Sequence, residues 1–450
     1  MKKFLALLLV LVMALGLVAC SVEQANNGGS NTTNNTQNDT TNNTTDDTTG
    51  DTTGEAVEIS LWTYPIGDWG KPEVVSEIIA KFNEKYPNIT VTHQLLDYSN
   101  GDAQVNTAME GGTVGDIIME GPERLVSNWG ANGKMVDLSD MWTDEMKADM
   151  ASASIEKACQ WTDGAYYEYP LCMTTHCMAI NYEAFEAAGA LQYIDEETRT
   201  WTTDDFVKAC EALRDAGYSV PGIVYCGGTG GDQGTRALVR NLYSADFTDA
   251  EHTKYTMNSE NGIKGLQLLI DMVNDKSMTY DAGIVASDEL TLFANGTSCM
   301  SLCWNASNWA NYASQTNFTP FAMTFPSDDG QPELDGGIWG FGIVDKGDQA
   351  KIDAAKTFID FVCNDESQAS DSVYATGFFP VRSSLGDIYA GTEKEGYSEF
   401  MMFMPYLGDY YNVTPKWAEQ RTAWFEMLQA AFSSGDAASA LAEYDTKANG

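Results

Sequence analysis

The residues that could do chemistry in this 450-residue chain are mainly aromatic and acidic. Tyr64, Asp68 and Trp69 lie within six positions, and Glu120, Glu123 and Arg124 within five. Trp304, Trp309 and Trp339 follow, and Trp417 stands four residues before Arg421. A flat ring packs against the C–H face of a sugar, while hydroxyl groups need Asp, Glu, Asn or Arg as partners. Aromatics beside acids at the carboxyl ends of strands are therefore what a carbohydrate cleft requires. Taken singly, each Trp is equally well read as core filling.

Other chemistries find less material. The three histidines, at 93, 176 and 252, are far apart, which is thin support for metal or nucleophile–His work. Nine cysteines include two close pairs, Cys172/Cys177 and Cys299/Cys303, without the doubled spacing of a zinc site. Apart from Cys20 they read as small buried free thiols. The segment 227–234 is rich in Gly but reads GxGxxxG rather than GxGxxG, and serves better as a loop near a lobe boundary. No P-loop, G-x-S-x-G, H-E-x-x-H or EF-hand pattern occurs, so neither catalytic residues, metal nor cofactor are assigned. With 65 acids in the chain, a glycosidase carboxylate pair stays open until geometry is known. The formal charge of −40, from 25 Lys+Arg against 65 Asp+Glu, excludes a nucleic-acid binder, which needs cations for phosphate.

The elements that must position these residues begin after an unusual amino terminus. Lys2 and Lys3 precede an apolar run from Phe4 to Val18, too short for a comfortable membrane span but suited to a secretory signal. Leu17, Val18, Ala19 and Cys20 resemble a bacterial lipobox, with Cys20 the lipidated first residue of the mature chain. Residues 21–54 are Asn, Thr, Gly, Asp and Ser with almost no apolar content. Such a segment cannot repay its ordering entropy and reads as a disordered tether of roughly 30 Å.

From residue 56 the pattern becomes globular. Residues 58–64 alternate as a strand, and Pro72 opens a helix with its stripe on Val74, Val75, Ile78, Ile79 and Phe82. Val91, His93 and Leu95 mark a second strand and residues 115–120 a third, after a short polar helix. This βαβα order predicts a largely parallel sheet covered by helices on both faces. Further helices are predicted on Ile263, Leu266, Ile270 and Val273, after the cap Thr202/Asp205, over 354–362 behind a strand at 340–344, and over 417–441.

In order along 56–450, the sequence resembles the extracellular solute-binding proteins of family 1, the sugar receptors of ABC importers. Residues 163–170 resemble the family's D-G-x-x-Y-x-x-P, and Asn181 its Y-N-K strand; Phe185, Gly189, Thr200 and Trp201 continue the pattern. Residues 293–300 resemble F-x-x-G-x-A-A-M, residues 336–343 and 354–362 its second lobe crossing and following helix, and 377–382 G-x-x-P-V-R. The resemblance implies an α/β, two-lobed periplasmic-binding-protein-like fold of type II, with mixed sheets flanked by helices and a ligand cleft between lobes. Lobe one is expected at 56–173 plus 339–380, and lobe two at 174–338 plus 381–450.

For the site, the resemblance implies ligand contacts by Tyr64, Asp68, Trp69, Glu120, Glu123, Arg124, Thr174, Trp304, Trp339 and Trp417. Three positions depart from maltodextrin binders: Thr174 replaces a Glu, Glu120 a Trp, and Trp304 a Gly with Ala306 where the Trp should be. The implied protein is a monomeric, non-enzymatic, lipid-anchored receptor on the outer face of a bacterial cell membrane. It would pass a carbohydrate, an oligosaccharide, to ABC permease subunits served by a separate ATPase. A secreted glycoside hydrolase is the alternative, or a surface receptor feeding a signalling partner.

Overall fold

The structure is a computed structural model and describes residues 55–450 except Ser99 and Thr229. The expected signal segment, the lipidation site Cys20 and the tether 21–54 lie outside the described residues.

The first strand, β1 (Val57–Thr63), runs parallel to β2 (Ile89–Leu95) on one side and to β3 (Ile117–Glu120) on the other. Pro72–Lys85 is the helix between β1 and β2, with proline in its first turn, where no N–H is required. Val75, Ile78, Ile79 and Phe82 form its buried face, and Phe82 meets Phe358 and Phe361 of the helix Gln349–Asn364 edge-on.

The parallel order stops there. β4 (Tyr169–Thr175) and β10 (Gly336–Ile343) join the same sheet antiparallel, with the short β11 (Phe379–Pro380) at its edge. Six strands therefore run in the order β11-β4-β10-β3-β1-β2, a mixed sheet rather than a largely parallel one. The physical reason is that β10 and β4 are not consecutive βαβ units; they are stretches that leave and re-enter the sheet. Glycine lets them approach: a Cβ on Gly340 would lie 2.2 Å from the Tyr169 carbonyl oxygen.

A second sheet holds β5 (Cys177–Asn181) between β8 (Met300–Trp304) and β9 (Pro320–Met323). β6 (Ile223–Tyr225) pairs in parallel with β7 (Thr279–Asp281). The helix Glu260–Asn274 buries Leu266, Leu269, Ile270 and Met272, so its inner face is turned slightly from the predicted stripe. The predicted helix over 417–441 is two helices, Trp417–Ser434 and Ala437–Asn449. Gly435 breaks them with φ +75°, and Asp436 caps the second by accepting from the Ser439 N–H.

Two hydrophobic cores result, the physical content of a two-lobed fold. One gathers Ile59, Leu61, Ile117, Cys172, Phe341 and Phe358. The other gathers Met173, Phe185, Leu238, Trp304, Ile338, Phe379 and Trp424. The chain changes core between Cys172 and Met173, and between Ile338 and Phe341. The eight cysteines from Cys159 onward are all buried and unpaired.

Candidate functional site

The carboxyl ends of β1, β2 and β3 lie side by side, and the chain leaving each supplies polar or aromatic groups. β3 ends at Glu120; Gly121 follows, and Pro122–Arg124 makes one helical turn. That turn reverses the chain just past the strand end, so Arg124 reaches back to Glu120. Its Nη1 donates to Glu120 Oε1 at 2.8 Å and its Nε to Asp102 Oδ1 at 2.7 Å. Glu123 Oε1 lies 3.8 Å from the guanidinium. Tyr64, the residue after β1, donates its hydroxyl to Asp102 Oδ1 at 2.5 Å. The guanidinium also faces the rings of Tyr64 and Tyr98, at 5.4 and 5.8 Å from their centroids.

Burial makes this cluster electrostatically tense. Glu120 is 1% exposed, with Oε2 accepting from the Gly121 N–H at 2.8 Å. Desolvation pushes its carboxyl above the ordinary range, and the Glu123 charge adds to that. Glu123 is pushed up by burial as well. Behind them Glu168 is fully buried, meets no hydrogen-bond donor of the protein, and is held well above its ordinary value by burial and by both neighbouring acids. Gly121 is required here, since a Cβ would stand 2.8 Å from both Glu123 Oε2 and the Ile338 carbonyl oxygen.

The other core presents a second polar cluster. Asp232, at the start of the helix Gln233–Asn241, accepts from Arg421 at 2.7 Å and from Arg236. Arg236 donates to the Tyr411 hydroxyl at 3.2 Å, and that hydroxyl donates to Asp335. Arg240 pairs with Asp335 and Glu333. The Arg236 guanidinium sits 4.6 Å from the centroid of Trp417, whose ring is half-buried and tilted against Tyr411. At the crossing from β4 to β5, the His176 N–H donates to the Asp335 carbonyl at 2.8 Å. Its ring lies 3.1 Å from Asn305 Nδ2 and 3.2 Å from Gln233. Asn305 Oδ1 accepts from the Asn308 N–H, which turns its Nδ2 toward His176 Nδ1. Burial pushes this histidine down to about 4.

The residues expected from the sequence meet different fates. Tyr64, Glu120, Glu123 and Arg124 come together in one cluster. Trp339 and Trp417 keep part of their surface; Trp339 stacks flat on Phe378 at 4.5 Å and 8°, while Trp417 stands beside Arg236. Thr174 is buried on β4 opposite Gly337, and Asp68 is turned outward to Lys71 at 2.8 Å. Trp69 and Trp304 offer no free ring face. Trp69 is enclosed, donates Nε1 to the Ser372 carbonyl at 3.0 Å and meets Phe341 edge-on; Trp304 fills the second core against Phe293. Large aromatics near strand ends bury more area as core than as platforms.

Tyr98 and Asp102 escaped the sequence reading. Tyr98 is 51% exposed, its ring tilted against that of Tyr64 with centroids 5.1 Å apart. The available signal was its place just beyond β2, beside the strand that carries Tyr64. Among the described residues no group of three or more His, Cys, Asp or Glu could hold a metal ion, and no helix is long and apolar enough to cross a membrane.

Comparison with known proteins adds family and fold. The family model of the bacterial extracellular solute-binding proteins matches residues 77–401. The chain is 22% identical over 410 residues to the arabinooligosaccharide-binding protein of Bacillus subtilis, covering 89% of this chain and 85% of that one. It superposes on the cyclic alpha-maltosyl-1,6-maltose binding protein of Arthrobacter globiformis with a TM-score of 0.70 at 17% identity, covering 88% and 98% of the two chains. An ABC substrate-binding protein of Listeria monocytogenes in complex with cycloalternan gives 0.61 at 17% identity, with the same coverage. The two-lobed architecture is thus shared with solved binding proteins, and the chain belongs to the bacterial extracellular solute-binding proteins.

Proposed function

We propose that this protein is the carbohydrate receptor of an ABC importer, binding an oligosaccharide between two lobes and releasing it unchanged to the permease. The observation that carries the reading is the Arg124 cluster. A guanidinium held by Asp102 and Glu120 lies beside two tyrosine rings, one of them half-exposed, at the carboxyl ends of three parallel strands. Fixed acceptors next to a flat apolar face suit a ring that is apolar on its face and hydroxylated at its edge. The names of the relatives, an arabinooligosaccharide-binding protein, a cyclic alpha-maltosyl-1,6-maltose binding protein and a substrate-binding protein in complex with cycloalternan, support the same class.

In this reading lobe one comprises 56–173 plus 339–380 and lobe two 174–338 plus 381–450; the changes of core between Cys172 and Met173 and between Ile338 and Phe341 support these crossings, while Ile155, Ala158, Ala369 and Phe379 pack with the second core. Tyr64, Tyr98, Asp102, Glu120, Glu123 and Arg124 hold the sugar from lobe one, while Trp417 with Thr174 and Trp339 line the rest of the cleft. Closure is stabilised only by the ligand's higher affinity for the closed form. The protein acts as a monomer, anchored outside the cell by lipid on Cys20, and the ATPase is a separate chain.

A thermal-shift screen against neutral oligosaccharides tests this, because a ligand at one hundred times its Kd adds about 2.7 kcal/mol to the folded state. Chromatography of the recovered sugar should show it intact; cleavage would favour a hydrolase. For the anchor, Cys20→Ala should release the protein into the medium or block its processing. A variant that stays on the membrane and is processed normally would remove the lipid from the account.

A further inference from the structure

Resting on the carbohydrate reading, the balance of charge between the two clusters bears on which carbohydrates can enter. On the first side three carboxyl groups, those of Asp102, Glu120 and Glu123, surround one guanidinium. Arg124 already gives Nε to Asp102 and Nη1 to Glu120. The second side carries three guanidiniums, and each is ion-paired: Arg236 and Arg421 with Asp232, Arg240 with Asp335 and Glu333. His176, beside Asp335 of the second cluster, is kept neutral by burial. The two clusters together thus hold more carboxyl groups than cations.

We infer that this site accepts sugars that are uncharged or carry an amine, and rejects those bearing a carboxylate, sulfate or phosphate. A ligand anion would have to leave water without an uncommitted cation to receive it, and it would stand beside the Asp102 carboxylate. Desolvation and like-charge repulsion then act in the same direction. Hydroxyl groups face the opposite situation, because an ionised carboxylate only accepts hydrogen bonds and a hydroxyl can donate one. An ammonium group on the sugar would add a charge-assisted bond and could lie over the open face of Tyr98.

The test uses the full-length mature protein and whichever neutral oligosaccharide of a broad panel gives the largest thermal shift. Three derivatives of that sugar are then titrated: one primary hydroxyl oxidised to a carboxylate, the carboxamide of that acid, and the amine at the same carbon. The carboxylate should bind at least tenfold more weakly than the carboxamide, and the amine no more weakly than the carboxamide. Asp102→Asn, at a half-exposed side chain, should narrow the gap between carboxylate and carboxamide several-fold. A carboxylate that binds as well as its amide overturns the inference, and so does a gap that Asp102→Asn leaves unchanged. If uronic or sulfated sugars bind and neutral ones do not, the inference falls while the carbohydrate reading stands. If no sugar of either kind binds, the carbohydrate reading falls and takes the inference with it.

Discussion

The Tyr410 hydroxyl donates to Glu123 Oε2 at 3.3 Å, and through this bond the two cores touch at the polar cluster itself. Tyr410 packs in the core that contains Trp304 and Trp424, whereas the turn carrying Glu123 leads into Leu125 of the other core. The same phenol oxygen accepts from the Ile338 N–H at 3.4 Å, on the strand that links the cores. A group that binds ligand would thereby also sense the relation between the lobes.

Tyr410→Phe removes that bond and keeps the packing. A neutral hydrogen bond contributes ~0.5–1.5 kcal/mol net and one to a charged group ~1.5–3 kcal/mol. The expected result is a shift in sugar affinity of about threefold to tenfold, in either direction according to whether the open or the closed form owns the bond. Titration calorimetry on the purified variant reads it. Affinity identical to wild type would show that the contact does not take part in closure.

Tyr98→Ala tests the platform that the sequence did not reveal. Because the ring is half-exposed, its loss should cost little stability. If a sugar lies on it, affinity should fall about tenfold, since ring area at ~25 cal/mol per Å² is then lost from the complex. A lower melting temperature with unchanged affinity would make Tyr98 a structural partner of Tyr64 only.

Trp417→Ala distinguishes two roles on the other side. The ring packs on Tyr411 and lies under Arg236, so the melting temperature of the ligand-free protein should drop by a few degrees. Stacking on sugar adds a tenfold or greater loss of affinity to that. An unchanged Kd beside a lowered melting temperature would assign Trp417 to packing alone.

Stability should depend on pH in a defined direction. Burial pushes the Glu289 carboxyl up to about 8, although it accepts from Ser301 at 2.9 Å and from the Leu302 N–H at 2.6 Å. Glu120 and Glu168 are raised too. A raised carboxyl holds a proton in the folded state that the unfolded chain releases near pH 4 to 5. Its contribution is present below that range and is lost as pH rises through the folded value. Asp409 and Asp365, held down to about 2, act oppositely and lose their contribution only in stronger acid. The melting temperature should therefore fall between pH 5 and pH 8, and Glu289→Gln should flatten part of that slope. A melting temperature that rises steadily to pH 8 would contradict the burial of these acids.

Part of this architecture could be read before any coordinates. The alternation around Ile59 and Leu61, the stripe ending at Phe82 and the proline at 72 are local signals, and local signals set β1 and its following helix. The antiparallel joining of β4 and β10 was hidden because strand direction depends on where the chain re-enters the sheet, and no local pattern records that. Arg124 and Glu120 are four residues apart, close enough in sequence to be read together; Asp102 is 22 residues from Arg124, and only folding makes it a partner. Trp69 and Trp304 show the opposite error, since a tryptophan at a strand end has the same sequence signature whether its ring turns inward or outward. Glu168 lies within the family-like stretch 163–170 and gave no sign that its carboxyl would be buried without a donor.

The most direct measurement is a calorimetric titration of the best neutral oligosaccharide into wild type and Arg124→Ala. Arg124 orders Asp102, Glu120 and the two tyrosine rings, and its removal leaves the buried Glu120 without its cation. Without the guanidinium neither Asp102 nor the two rings is held in place, so wild type should bind one sugar per chain and the variant at least tenfold more weakly, about 1.4 kcal/mol or more, if it retains the fold by circular dichroism. No measurable heat from any neutral oligosaccharide with wild type, or equal affinity in a folded variant, would contradict a sugar site built on Arg124.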